Sequence, residues 1–195
     1  MNSFRLAFQD QDYQGTLREG IEEYHRYLTT LGRKIGTDEA HGLWTLHDAT
    51  HVIFGHDTTL EQEGSLDFCL FLQCHFKWRD LVAYNEDPLI HALYKSLVSE
   101  LGYTAVPLKL YWRSRKVIWR IFRRSRQLKK KWPFKFPSDW LDRSVKELRE
   151  EHGIVVLSHD EKYVAKRLEW RAILNGQPPR RLRSYGDVIA LSSGF

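Results

Sequence analysis

The chain has 195 residues, a formal net charge of +5 and two cysteines, which fits one domain able to bury a core without disulfide or zinc-knuckle staples. No uncharged apolar run reaches the about eighteen residues that a membrane span needs, and the opening MNSFRLAFQDQDYQG is too acidic and too polar for a signal or transit peptide. With Cys69 and Cys74 placed in an apolar helical run rather than in a knuckle, the expectation is a cytoplasmic protein with reduced thiols.

From Gly15 to Leu31 the apolar positions Leu17, Ile21, Tyr24, Leu28 and Leu31 step by four, three, four and three, which predicts an amphipathic helix. Gly32 and Gly36 break it. Thr37 or Asp38 then caps a second helix carrying Leu43, His47, Thr50, His51 and Phe54 on one face. Gly55 and the G-H-D-T-T run let the chain reverse, and Thr58 with Glu61, or Thr59 with Gln62, reads as a capping box. The third helix, from about Thr59 to Trp78, holds Glu63 in its first turn and the apolar run Phe68 to Leu72, so it is expected at the centre of a bundle.

Asn85 to Pro88 is a turn before a helix with the stripe Leu89, Leu93, Leu97 and Leu101, ended by Gly102. After Pro107 comes a basic helix with Tyr111, Ile118, Ile121, Phe122 and Leu128 on its apolar face and Trp112 and Trp119 beside it. Ten Lys or Arg fall between Arg113 and Lys131, and no acidic residue occurs between Glu100 and Asp139. Residues 130 to 137, K-K-W-P-F-K-F-P, read as an extended aromatic break. Ser138 or Asp139 caps a helix through Arg149, which Gly153 closes, and Asp160 to Leu174 is a further helix. The tail from Arg180 to Phe195 gives mixed signals. Without repeats, and with alternation only at Ile154 to Leu157 and Val188 to Leu191, the expected fold class is all-α, a multi-helix bundle.

His47 and His51 are four residues apart, so on a helix their imidazoles share a face, one turn from each other, as two ligands of one ion must. Asp48 lies between them, and Glu63 arrives from the next helix. Two imidazoles and two carboxylates suit a divalent ion such as zinc, iron, manganese or magnesium, with room for water or substrate oxygens. An H-x-x-x-H pair alone is also common among histidines that only pack or hydrogen-bond. His56 and Asp57 fall in the turn and read as structural, as do the isolated His25, His41, His75 and His91. Trp78, Arg79 and Tyr84 are consistent with ordinary packing and dipole complementation at a helix end. Serine-nucleophile, phosphate-loop and dinucleotide motifs are absent.

The string HDATHVIFGHDTTLEQE resembles the signature of the ubiquinone (coenzyme Q) biosynthesis family Coq-four: H-D-x-x-H, eleven residues, E, with a Gly four after the second His. His47, Asp48, His51, Gly55, Asp57, Thr58 and Glu63 are in register with it. The resemblance covers roughly residues 15 to 154, closing at VKELREEHGI, and leaves 155 to 195 as a C-terminal extension of a single domain, 1–195. It implies a helical peripheral membrane protein with a lipid-sized apolar groove, whose His47, Asp48, His51 and Glu63 hold a divalent ion, with Asp48 a ligand or an orienting neighbour. It further implies oxidative decarboxylation at C1 of a polyprenylated benzoate, with those four residues as the catalytic set. The alternative is a non-catalytic, lipid-binding scaffold for quinone-biosynthesis enzymes with a structural metal. An HD-type phosphohydrolase shares the H-D doublet but needs a further upstream His and a distant Asp that this chain does not offer convincingly.

The expected partners are a polyprenyl lipid or prenylquinone precursor, other quinone-biosynthesis proteins and an acidic membrane surface; a homodimer is left open. The basic helix could track nucleic-acid phosphates, hold a small-molecule phosphate, lie on an acidic membrane or be merely solvated. Its pairing of Arg and Lys with Trp112, Trp119, Phe122, Trp132, Phe134 and Phe136, without a nucleic-acid motif, favours the membrane.

Overall fold

The computed structural model describes residues 5–30, 42–58, 60–75, 79, 82 and 105–162. The described chain is mostly helical: α1 (Leu17–Thr30), α2 (Leu43–Phe54), α3 (Leu60–Gln73), α4 (Ala105–Ser125), α5 (Val145–His152) and α6 (His159–Lys162). Short 3-10 segments at Ala7–Gln9 and Ser138–Asp142 complete it. The all-α expectation takes one correction. Cys74–His75 (β1) and Trp132–Pro133 (β2) pair in parallel, Cys74 with Trp132 and His75 with Pro133. The aromatic break was expected to be extended; what periodicity did not foresee is that α3 ends at Gln73 to give it a partner.

The first four positions of the predicted α1 stripe, Leu17, Ile21, Tyr24 and Leu28, are buried, and the fifth, Leu31, lies outside the described residues. α1 packs on α2, whose C-terminal half is buried almost all round from Asp48 to Phe54. The two helices approach closely at Gly20, where a β-carbon would meet the Cγ1 of Val52 at 2.5 Å. Leu6 and Phe8 from the first 3-10 segment join this core. Truncating a residue as enclosed as Leu17, 0% exposed, typically costs about 2–5 kcal/mol.

The predicted helix from Ser138 to Arg149 is two elements, not one. The break at Arg143 and Ser144 arises because this stretch pairs with the start of α1: Thr16 and Ser144 form an antiparallel bridge, and the Leu17 amide donates to Arg143 O at 3.0 Å. Gly153, at φ 71°, ends α5 as expected. α4 packs along α3, and among its described side chains, from Ser114 on, Val117 and Ile121 are buried while Trp119 and Phe122 are exposed. Of the expected apolar face, Ile121 is buried, Ile118 is half-buried and Leu128 packs against the core, whereas Phe122 is exposed at its edge and Tyr111 lies outside the described side chains. Trp132 is fully buried in a cluster with Phe136, Trp140 and His152. The predicted cap at Thr37 or Asp38, the helix of Leu89 to Leu101, most of the helix from Asp160 to Leu174 and the tail lie outside the described residues. No helix among the described residues is long and apolar enough to cross a membrane.

Candidate metal centre

The turn after α2 decides where Glu63 goes. Gly55 adopts φ 67°, a left-handed conformation that other residues rarely take. Its amide donates to Val52 O at 3.1 Å and that of His56 to His51 O at 2.9 Å, the paired bonds of a Schellman ending. The Asp57 amide then donates to the Gln62 side-chain oxygen at 2.9 Å. This sends α3 back along α2, with Glu63 in its first turn as the sequence predicts.

His47, His51 and Glu63 converge: each offers a ligand atom, and these atoms all lie within 4.8 Å of one another. His51 is fully buried, and its Nε2 stands 3.5 Å from Glu63 Oε2, whose side chain is 13% exposed. The same turn that reverses the chain sets the His51 tautomer. His56 O lies 3.3 Å from His51 Nδ1, and a carbonyl can only accept, so Nδ1 is the donor there and Nε2 is the nitrogen left to face the carboxylate. An imidazole nitrogen and a carboxylate oxygen facing each other in a buried site are a natural place for a shared cation, a proton or a metal ion. The Tyr24 ring stacks on His51, with centroids 4.6 Å apart and planes at 23°.

Asp48 is arranged differently from the other three expected ligands. It is buried outside that three-residue group, with Oδ2 taking the hydrogen of His25 Nε2 at 2.7 Å and Oδ1 facing His47 Nδ1 at 3.5 Å. Of the two roles expected of it, these contacts suit the orienting one. Burial opposes its ionisation, but the bonds from His25 and His47 and the charges of His47 and His51 hold its carboxyl down at about 2. Burial likewise acts to lower the pKa of His47, yet the bond to Asp48 and the negative charges of Glu63, Asp48 and Asp67 prevail and raise it. The site thus favours a positive charge.

Two nitrogens and one carboxylate fit a divalent ion of the zinc, iron or manganese type, and three protein ligands leave positions for water or substrate. His56 is buried with Nε2 3.6 Å from Cys69 Sγ, outside the three-residue group. Burial, the Lys162 charge and His51 keep its pKa well below the usual imidazole value, and burial pushes the Cys69 thiol up, so this pair is neutral packing. His75 and Arg79 are exposed, while His41, His91, Trp78 and Tyr84 lie outside the described residues. What sequence reasoning missed is α1: Tyr24 was legible only as a core position, and His25 only as an isolated histidine. Comparison of the chain with models of protein families, with curated proteins and with solved structures finds no match.

Proposed function

We propose that the protein binds one divalent ion on His47, His51 and Glu63 and acts with it on the polar head of a polyprenylated aromatic acid in prenylquinone biosynthesis, by oxidative decarboxylation at ring carbon C1. The observation that carries this is the meeting of His47, His51 and Glu63, within the spacing that resembles the Coq-four signature. A bound divalent ion would supply Lewis acidity toward a carboxylate and its neighbouring phenolate as the carboxyl group departs as CO2, and the oxidation is balanced by dioxygen with a two-electron donor, one oxygen atom becoming the new C1 hydroxyl and the other water. The chain's own residues would do the rest. Glu63 and the Nε2 of His51 supply the anionic and neutral donors, the His56 carbonyl and Tyr24 hold the His51 ring, and Asp48 holds that of His47. The burial of His51 and Asp48 lowers the local dielectric, so each of these electrostatic interactions counts for more than in water. In this proposal the prenyl tail lies in an apolar groove between helices of a bundle.

The same proposal puts the outer face of α4 on an acidic membrane, as a peripheral protein. Trp119, 60% exposed, and Phe122, 37% exposed, stack with centroids 5.4 Å apart. Arg115, Lys116, Arg123 and Arg126 are exposed on the same helix and its end, giving the apolar-plus-basic combination suited to a lipid interface. The test is Glu63→Gln in a quinone-deficient strain, with mass spectrometry of lipid that co-purifies. The enzyme requires a folded Glu63→Gln protein that retains prenyl lipid but restores no quinone. A folded, lipid-binding Glu63→Gln protein that restores normal quinone would instead make the protein a scaffold.

A further inference from the structure

The H-D-x-x-H spacing makes no use of α1, yet α1 delivers two consecutive side chains to that motif of α2, one to His51 and one to Asp48. Tyr24 covers the His51 ring, and His25 reaches Asp48. We propose that His25 is a positioning residue of the metal centre: it fixes the Asp48 carboxylate, and Asp48 in turn fixes the His47 imidazole, so that His47 meets the ion as a preset ligand. The proposal rests on the three-residue metal site described above.

The chain of contacts runs from His25 through Asp48 to His47, with a hydrogen bond at the first step and a 3.5 Å approach at the second. Asp48 is 5% exposed, so each of its oxygens needs a donor from the protein. Oδ2 takes the His25 Nε2 hydrogen at 2.7 Å, and that short bond fixes the plane in which Oδ1 faces His47 Nδ1 at 3.5 Å. An Nδ1 hydrogen directed at Oδ1 makes Nε2 the ligand nitrogen of His47, which parallels the arrangement at His51, where a backbone carbonyl does the same. Without the His25 donor, Asp48 is free to turn about its side-chain torsions, and the His47 ring loses its reference. The close approach at Gly20 and Val52 keeps α1 near enough for His25 to reach across. With 28% of its side chain exposed, His25 is itself only partly enclosed, so its truncation removes little core packing.

The experiment measures zinc affinity of the full chain by chelator competition, with cobalt substitution to record the ligand-field spectrum. His25→Ala is expected to bind zinc about 10–100-fold more weakly at unchanged stoichiometry, with a shifted cobalt spectrum. His25→Gln, whose side-chain amide extends to about the place of the Nε2 hydrogen, should recover most of the affinity and the spectrum. His25→Asn, one carbon shorter, should not, and this pair keeps the test decisive if His25→Ala fails to fold. Wild-type affinity and spectrum in His25→Ala, or equal weakness of Gln and Asn, would overturn the role. Zinc binding by the wild-type chain that ignores residue 25 removes this role alone, whereas a wild-type chain that takes up no zinc, cobalt, iron or manganese removes the metal centre with it.

Discussion

Arg149 offers the sharpest test of how the fold carries its site. It is 0% exposed, and its guanidinium donates to Phe8 O at 2.7 Å, Val52 O at 2.8 Å, Ile53 O at 2.9 Å, Asp10 O at 2.5 Å and Gln11 O at 3.3 Å. Burial lowers its pKa to about 10, which leaves it charged at neutral pH. One side chain thus ties the N-terminal segment to the last turn of α2, directly after His51. Arg149→Met keeps most of the aliphatic volume and removes every donor. Water can reach the carbonyls of exposed Asp10 and half-buried Gln11, and Val52 O still accepts from the Gly55 amide at 3.1 Å. Phe8 and Ile53, both 0% exposed, stand to suffer most. At about 1–3 kcal/mol for each buried carbonyl left without a donor, less the recovered cost of burying the guanidinium, the expected loss is about 3 kcal/mol. In a chain of this size that is a fall of about 6–12 °C in Tm. Urea unfolding followed by circular dichroism reads the change directly. Arg149→Lys, with three donors on a single nitrogen, should recover only part of it. A loss below about 1 kcal/mol in Arg149→Met would refute the argument that these carbonyls depend on one donor.

Two further outcomes are expected. Arg120 and Arg124 reach Glu161, whereas Arg115, Lys116 and Arg123 are exposed, so reversing the latter three to Glu should abolish sedimentation with anionic vesicles at low salt, at about 1 kcal/mol per basic residue near the surface. Equal binding to neutral and anionic vesicles would count against the membrane face. Partial burial works against ionisation of Glu161, but the Arg124 bond at 2.8 Å and the bonds from Ser158 hold its carboxyl at about 2, below its ordinary 4.5. Because the folded value is the lower one, its contribution to stability is complete above pH 4.5 and is lost as pH falls toward 2. Glu161→Gln should flatten the acid limb of a stability profile between those values, and an unchanged limb would contradict it.

Local chemistry accounts for what was legible in the sequence. The i, i+4 spacing places His47 and His51 on one face whatever surrounds them, and Gly55 followed by the polar turn is enough to bring Glu63 back. The α1 stripe is legible for the same reason, since its steps of four and three need no partner to define a face. Non-local pairings were not. Ser144 breaks a helix because Thr16 pairs with it, and Gln73 ends another because Trp132 and Pro133 offer Cys74 and His75 a parallel strand. Arg149 carries no sign of burial in an otherwise charged stretch, because its acceptors are backbone carbonyls distant in sequence. Asp48 reads as a ligand or an orienting neighbour, and nothing in the spacing links it to His25, whose Nε2 lies 2.7 Å from its Oδ2.

The most direct measurement is the metal content of the purified full chain after growth in metal-replete medium, by plasma mass spectrometry, beside His51→Ala. His51 supplies the Nε2 that faces Glu63 at 3.5 Å, so its truncation leaves an incomplete ligand set while the helices, held by the α1 stripe and Arg149, persist. The expected result is about one ion per chain in the wild type and well below that in a folded His51→Ala, as three-ligand sites require all their donors. A metal-free wild type, or full occupancy in His51→Ala, would contradict the metal centre.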